Sequence, residues 1–310
     1  MRIPYLKIAG GLLMLVSLIF IVRKILFFDL DFGRLLLWRN LTAFTSALLG
    51  AVAIVVIGAA IWRNFLSFFA DMPVSFAPAF STFARANLAK YLPGNVAHYA
   101  GRQLFGAALG VKQRHLALAS LLEALCAAAA ALILSALLAG GDAPTLVSRY
   151  NLNIKWSVLA AVLATGAVVV TMTIIFARKK IYDTLGRLVA MAGFYRICGV
   201  NILLTMVNLL VIGGTQTILF HALGDAVSPP PTLAIMTASV VSWFIGYIAP
   251  GAPGGIGVRE AVFTLMLAPF YNEQTVLLAA VAQRLFLVFG DVLAALLACL
   301  TQRAYAAASV

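Results

Sequence analysis

Four charged residues sit inside stretches that are otherwise apolar: Arg102, Glu123, Glu260 and Arg284. A full charge at the centre of a bilayer costs about 2.5–3.5 kcal/mol on insertion scales, so such residues need a partner of opposite sign or a wet cavity. Their spacing repeats. Arg102 follows Pro93 by nine residues and Glu123 follows it by thirty, whereas Glu260 follows Pro250 by ten and Arg284 by thirty-four. Each set holds one charge shortly after a proline break and an opposite charge on the next apolar stretch, with the signs exchanged. This pattern predicts intramembrane pairs, either Arg102–Glu123 and Glu260–Arg284 or the cross-paired alternative. Such pairs either lock helices together or line a path and re-pair as a polar group passes. Arg259 competes with Glu260 as the inward residue, and Asp291, seven residues after Arg284, is a weaker candidate for the same network.

Both sets begin at breaks rich in proline and glycine, "KYLPGN" from Lys90 to Asn95 and "PGAPGGIG" from Pro250 to Gly257. Proline removes a backbone donor and glycine weakens helix continuity. Backbone freed in this way at membrane depth persists only where it is buried in protein or lines a polar cavity. A helix restarting at about Asn95 or about Gly257 points free N–H groups and a positive dipole end at that cavity. Two such ends favour an anionic group such as a lipid phosphate, and Lys90 would reinforce the first. The plainer alternative is that the breaks only shape packing. A nucleotide loop is excluded, because the glycine-rich stretch lacks a Gly-Lys-Ser/Thr ending and a βαβ setting. Cys126, Cys198 and Cys299 are far apart, with no CxxC or Cys/His cluster, so neither a metal site nor a cofactor is expected. His98, His115 and His221 are scattered and form no nucleophile–base set; His98, five residues past Pro93, could face the cavity but reads better as a satisfied or interfacial histidine.

The elements that must position these residues are membrane helices. The chain is 63% hydrophobic and 10% charged, with a mean hydropathy of +1.03. Soluble domains are about 45–50% apolar and about 25% charged. The reading is an all-α polytopic membrane protein with about six spanning helices, near 8–22, 41–62, 115–139, 156–177, 198–222 and 275–300. The first span lacks a small-residue cleavage pattern and reads as a retained anchor. Two broken apolar regions, 76–110 and 232–270, read as re-entrant helical hairpins. The basic loop 178–197, with Arg178, Lys179, Lys180, Arg187 and Arg196, places that side and both termini in the cytoplasm, although the basic loop 23–40 then falls outside. The order becomes span, span, hairpin, span, twice over, in opposite orientations. That is an inverted repeat with halves at about 1–140 and 150–310 within one transmembrane domain. The formal charge of +12 clusters at helix ends, which suits anionic lipid headgroups better than nucleic acid.

"KYLPGNVAHYAGR" (90–102), "LASLLEAL" (118–125), "PGAPGGIGVREA" (250–261) and "AQRL" (282–285) together resemble the lysylphosphatidylglycerol synthase transmembrane region, a flippase-like membrane family. The resemblance runs over nearly the whole chain. It implies two hairpins around a central cavity and a lipid translocase that moves an anionic or modified phospholipid, or a lipid-linked headgroup, between leaflets by alternating access. The matching positions are Lys90, Pro93, Gly94, Arg102, Glu123, Pro253, Gly254, Gly255, Gly257, Glu260 and Arg284, to which the spacing argument adds Asn95 and Arg259. No aminoacyl-transferase domain follows, so lipid aminoacylation is not expected. The expected setting is the inner membrane, with membrane lipids as partners; a second copy or a lipid-synthesis enzyme is left open as protein partner. Two other classes of function remain at this point: an integral-membrane transferase acting on a lipid-linked sugar, with Glu123 or Glu260 as base, and a non-transporting regulator of a lipid-synthesis enzyme.

Overall fold

The computed structural model describes residues 40–70, 72–91, 97–149, 191, 193–223, 232–249, 253–268 and 270–308, with side chains not described at 139–149, 253 and 302–308. Among the described residues there is helix and no strand. Eight α-helices occur there: α1 (Leu41–Ala70), α2 (Phe76–Asn87), α3 (Ala97–Gly106), α4 (Gln113–Arg149), α5 (Phe194–Leu223), α6 (Thr232–Ile248), α7 (Val258–Leu267) and α8 (Glu273–Ala308). Short 3-10 turns at Leu88–Tyr91, Ala107–Leu109 and Pro253–Gly255 punctuate them.

Four of these helices, Leu41–Ala70, Gln113–Leu138 within α4, Phe194–Leu223 and Glu273–Thr301 within α8, are long and apolar enough to cross a membrane. They correspond to four of the sequence-expected spans. The expected spans at 8–22 and 156–177 lie outside the described residues. The helix expected to end at residue 62 continues to Ala70, because its buried face runs on through Phe65, Leu66 and Phe69. The outer faces are apolar too, with Leu49, Leu104, Leu137 and Leu203 more than half exposed. Apolar exposure on this scale fits a lipid surrounding rather than water.

The chain divides into two compact units, one made of Met1–Gly141 with Asn201–Val310 and the other of Asp142–Val200, with the boundaries falling inside α4 and α5. All residues of the site described below belong to the first unit. Within it, α8 packs against α1, α2 and α7; α2 packs against α1 and α3; and α6 packs against α7. Small residues make these crossings close, as membrane helix packing requires. A Cβ on Gly290 of α8 would lie 2.9 Å from the carbonyl carbon of Ala51 on α1, and one on Gly58 of α1 would meet the Phe83 ring of α2 at 2.8 Å. Ala130, Ala131 and Leu134 of α4 pack with Leu209 and Ile212 of α5 and Val240 of α6. A second cluster joins α5 through α8 around Phe220, Ile235, Phe263 and Val276.

The helices beside the breaks are short. At 1.5 Å per residue, the 10 residues of α3 or of α7 span about 15 Å, half the thickness of a hydrocarbon core of about 30 Å.

Candidate functional site

The second break shows how sequence sets the local geometry. Gly254, Gly255 and Gly257 have φ of 57°, 73° and 85°. Residues with a Cβ avoid this left-handed region, so the run of glycines lets the chain turn sharply from α6 into α7. Glu260, third residue of α7, reaches back with Oε2 to accept the N–H of Gly257 at 2.6 Å. That bond satisfies one donor at the unpaired start of the helix and places a negative charge at its positive end. The other carboxylate oxygen, Oε1, accepts Nε of Arg284 on α8. Arg284 also donates through Nη1 to the carbonyl of Gly254 at 2.9 Å. One arginine therefore ties the last helix to both the break and the helix that follows it.

The first pair forms within its own half as well. Arg102 on α3 donates Nη1 to Glu123 Oε2 on α4. Arg102 is 2% exposed, and its guanidinium lies 4.1 Å from the Phe83 ring centre, 5.4 Å from that of Tyr99 and 5.9 Å from that of Trp62. Aromatic faces stabilise a largely desolvated cation. The cross-paired alternative is not adopted.

Lys90 and Asp291 differ from expectation. Lys90 Nζ lies 2.6 Å from Asp291 Oδ2, so the lysine at the first break is held by α8. Asp291, 3% exposed, also accepts Asn87 Nδ2 at 2.7 Å and the Tyr91 hydroxyl. It therefore serves the first break and does not join the Arg284 network. The two breaks themselves meet, since a Cβ on Gly254 would lie 3.9 Å from the carbonyl oxygen of Lys90 and from the Tyr91 ring.

Arg259 is the exception among the cations. Its neighbour Glu260 turns to Arg284, and Arg259 extends over the Trp243 ring, 5.3 Å from the centre. Its stem threads between Gly246 and Gly255: a Cβ on Gly255 would lie 2.6 Å from Arg259 Nε, and one on Gly246 would collide with Cγ. Among the described residues it makes no ion pair, and its Nε has no hydrogen-bond partner. Trp243 stacks on Tyr247 at 4.8 Å, and Tyr247 shares a 3.1 Å hydroxyl–hydroxyl hydrogen bond with Tyr99, closing a wall from α6 to α3.

These groups surround a cavity of about 170 Å³, into which Lys90, Arg102, Glu123, Gly254, Arg259 and Arg284 all project a surface. On a scale where one water occupies about 10–15 Å³, it has room for a hydrated polar group. A smaller space of about 40 Å³ adjoins it, sharing Trp243, Arg259 and Arg284 and lined also by Gln216, Glu260 and Gln283. Several residues lining these spaces carry a buried polar atom without a hydrogen-bond partner among the described residues: His98 Nδ1, Arg102 Nε, Asn208 Oδ1, Arg259 Nε, Arg284 Nη2 and Gln216 Nε2. His98 thus lines the cavity, the less favoured of the two placements the sequence allowed, and its Nδ1 has no partner among the described residues.

Of the sequence candidates, Gly255 and Gly257 shape the turn without lining the larger cavity, and the side chain of Pro253 is not described. Pro93, Gly94 and Asn95 lie outside the described residues. Sequence reasoning missed Trp243, Tyr247, Tyr99, Gln216 and Gln283. The i, i+4 spacing of Trp243 and Tyr247 was the available signal. Among the described residues no group of three metal-ligating side chains occurs. Compared with known proteins, the chain matches no family model, no curated protein and no solved structure.

Proposed function

We propose that the chain is a lipid translocase that carries an anionic headgroup between leaflets through this cavity. The observation that carries the reading is the charge at the cavity: Lys90, Arg102, Arg259, Arg284 and Glu123 line it, Asp291 and Glu260 pair with Lys90 and Arg284 from outside the lining, and Arg259 pairs with no carboxylate among the described residues. An uncompensated cation at membrane depth is costly, and a phosphate-bearing headgroup supplies the missing anion while its acyl chains stay in lipid.

In this reading 76–110 and 232–270 are the two re-entrant hairpins of an inverted repeat of about six spans, with both termini cytoplasmic and the inner membrane as the setting. The half-bilayer lengths of α3 and α7 support it, as does the contact between the two breaks. The motif resemblance to the flippase-like family supports the same substrate class. A transferase needs a carboxylate free to act as base, and both Glu123 and Glu260 are engaged by arginines.

The test is reconstitution into liposomes with a panel of headgroup-matched fluorescent phospholipids, followed by chemical quenching of the outer leaflet. Protein-dependent loss of protection for an anionic lipid is the expected result. Quenching that matches protein-free liposomes for every lipid would overturn the reading. Formation of a glycosylated product by the purified protein would establish the transferase class instead.

A further inference from the structure

Three of the four cavity cations are already committed. Lys90 is held by Asp291, Arg102 by Glu123, and Arg284 by Glu260 and the Gly254 carbonyl. Arg259 alone, among the described residues, has no carboxylate, so the four cavity cations and their described partners leave one positive charge in excess. Arg259, Arg284 and Gln216 share the lining of the smaller space. Arg259 and Arg284 both line the larger cavity and the adjoining smaller space, and Gln216, 5% exposed, lines the smaller one; among the described residues Arg259 Nε, Arg284 Nη2 and Gln216 Nε2 are buried donors without a hydrogen-bond partner. The site is also built to hold Arg259 there. Gly246 and Gly255 leave room for its stem, and Trp243 supports its guanidinium.

On these grounds we infer that the Arg259–Arg284–Gln216 end of the cavity is an oxyanion subsite that takes one singly charged phosphodiester, with Arg259 as the residue that selects for charge. This rests on reading the cavity as the path of an anionic headgroup and names which charge state it accepts. A phosphodiester carries one negative charge and cancels the excess. A phosphomonoester carries about 1.5–2 negative charges near neutral pH and overshoots it. A zwitterionic headgroup brings its own cation and leaves the excess in place. The two arginines offer the charge-assisted bonds that distinguish these cases.

The experiment measures lipid binding to the purified full chain in detergent by native mass spectrometry, at one pH and ionic strength. The probes are dioleoylphosphatidylglycerol, dioleoylphosphatidic acid and dioleoylphosphatidylcholine, with inorganic phosphate and glycerol 3-phosphate as soluble competitors. The inference expects phosphatidylglycerol to bind at least about tenfold more tightly than phosphatidylcholine, the scale of one charge-assisted bond, and no more weakly than phosphatidic acid. Arg259→Gln should bring the first ratio to within about twofold of unity, while Arg259→Lys keeps a preference for the anion. Equal binding of phosphatidylglycerol and phosphatidylcholine by the wild type overturns the inference, as does clear preference for phosphatidic acid. An undiminished ratio in a folded Arg259→Gln protein does the same; where that variant does not fold, the wild-type ratios and Arg259→Lys still decide. Competition by soluble phosphate at concentrations similar to the lipid would assign the subsite to a free phosphate compound, and absence of competition assigns it to the lipid. Transport without charge preference would sink this inference and leave the translocase reading standing; selective binding without transport would do the reverse.

Discussion

Replacing Glu260 by glutamine disturbs two bonds at once, and their costs can be separated. Glu260 is 3% exposed, accepts the Gly257 N–H and pairs with Arg284. Removing one member of a buried ion pair costs about 3–5 kcal/mol, because the other charge is left uncompensated. Glutamine keeps a carbonyl oxygen that can still cap Gly257, so the loss in Glu260→Gln falls mainly on Arg284. Removing both charges in Glu260→Gln/Arg284→Gln leaves no orphan, and the double variant should be less destabilised than the sum of the singles by about 1–3 kcal/mol. The exchange Glu260→Arg/Arg284→Glu restores opposite signs but not the cap, since an arginine cannot accept the Gly257 N–H. It should recover most of the single-variant loss and stay about 1 kcal/mol below wild type, the typical value of a cap. The assay is a double-mutant cycle from equilibrium unfolding in mixed micelles. A coupling energy under about 0.5 kcal/mol would refute the argument that this pair compensates a buried charge.

Other consequences follow from the same geometry. Gly246→Ala puts a methyl group on the path of the Arg259 stem, so phosphatidylglycerol binding should fall several-fold although no charge is altered; unchanged binding in the native mass spectrum contradicts the placement. Gly255→Ala forces a side chain into φ 73° with its Cβ 2.9 Å from the Gly246 carbonyl oxygen, which should cost about 1–3 kcal/mol of unfolding free energy. Asp291→Asn leaves Lys90 without its carboxylate, and two effects are expected: lower stability by roughly 3 kcal/mol and tighter binding of phosphatidic acid relative to phosphatidylglycerol, read from the same lipid panel. Tyr247→Phe removes the hydroxyl bond to Tyr99 and should cost about 1 kcal/mol with little change in lipid charge preference.

How far the sequence revealed this site depends on which force sets each feature. The four charges Arg102, Glu123, Glu260 and Arg284 were legible because a charge in an apolar stretch is expensive, and the expense itself forecasts a partner. The breaks were legible because glycine and proline act locally on the backbone, as the positive φ angles of Gly254, Gly255 and Gly257 show. Partner choice was less legible, because it depends on how helices pack. Asp291 shares a face with Arg284, yet seven residues at 1.5 Å each separate them by about 10 Å along α8, which carries Asp291 to the first break and to Lys90, Asn87 and Tyr91. Arg259 and Glu260 are neighbours in sequence but point about 100° apart on α7, so one turns to Trp243 and the other to Arg284. The aromatic wall of Tyr99, Trp243 and Tyr247 went unread because aromatic residues in membrane helices also serve as interfacial anchors. The expected spans at 8–22 and 156–177 and the tip residues Pro93, Gly94 and Asn95 fall outside the described residues.

The most direct test of a headgroup path is the structure of the chain in lipid nanodiscs containing phosphatidylglycerol, determined by electron cryo-microscopy. The account predicts phosphate density within hydrogen-bonding distance of Arg259 and Arg284, with acyl-chain density leading from the cavity into the bilayer. A cavity filled only by ordered water, with phosphate density confined to the bilayer surface, would contradict it.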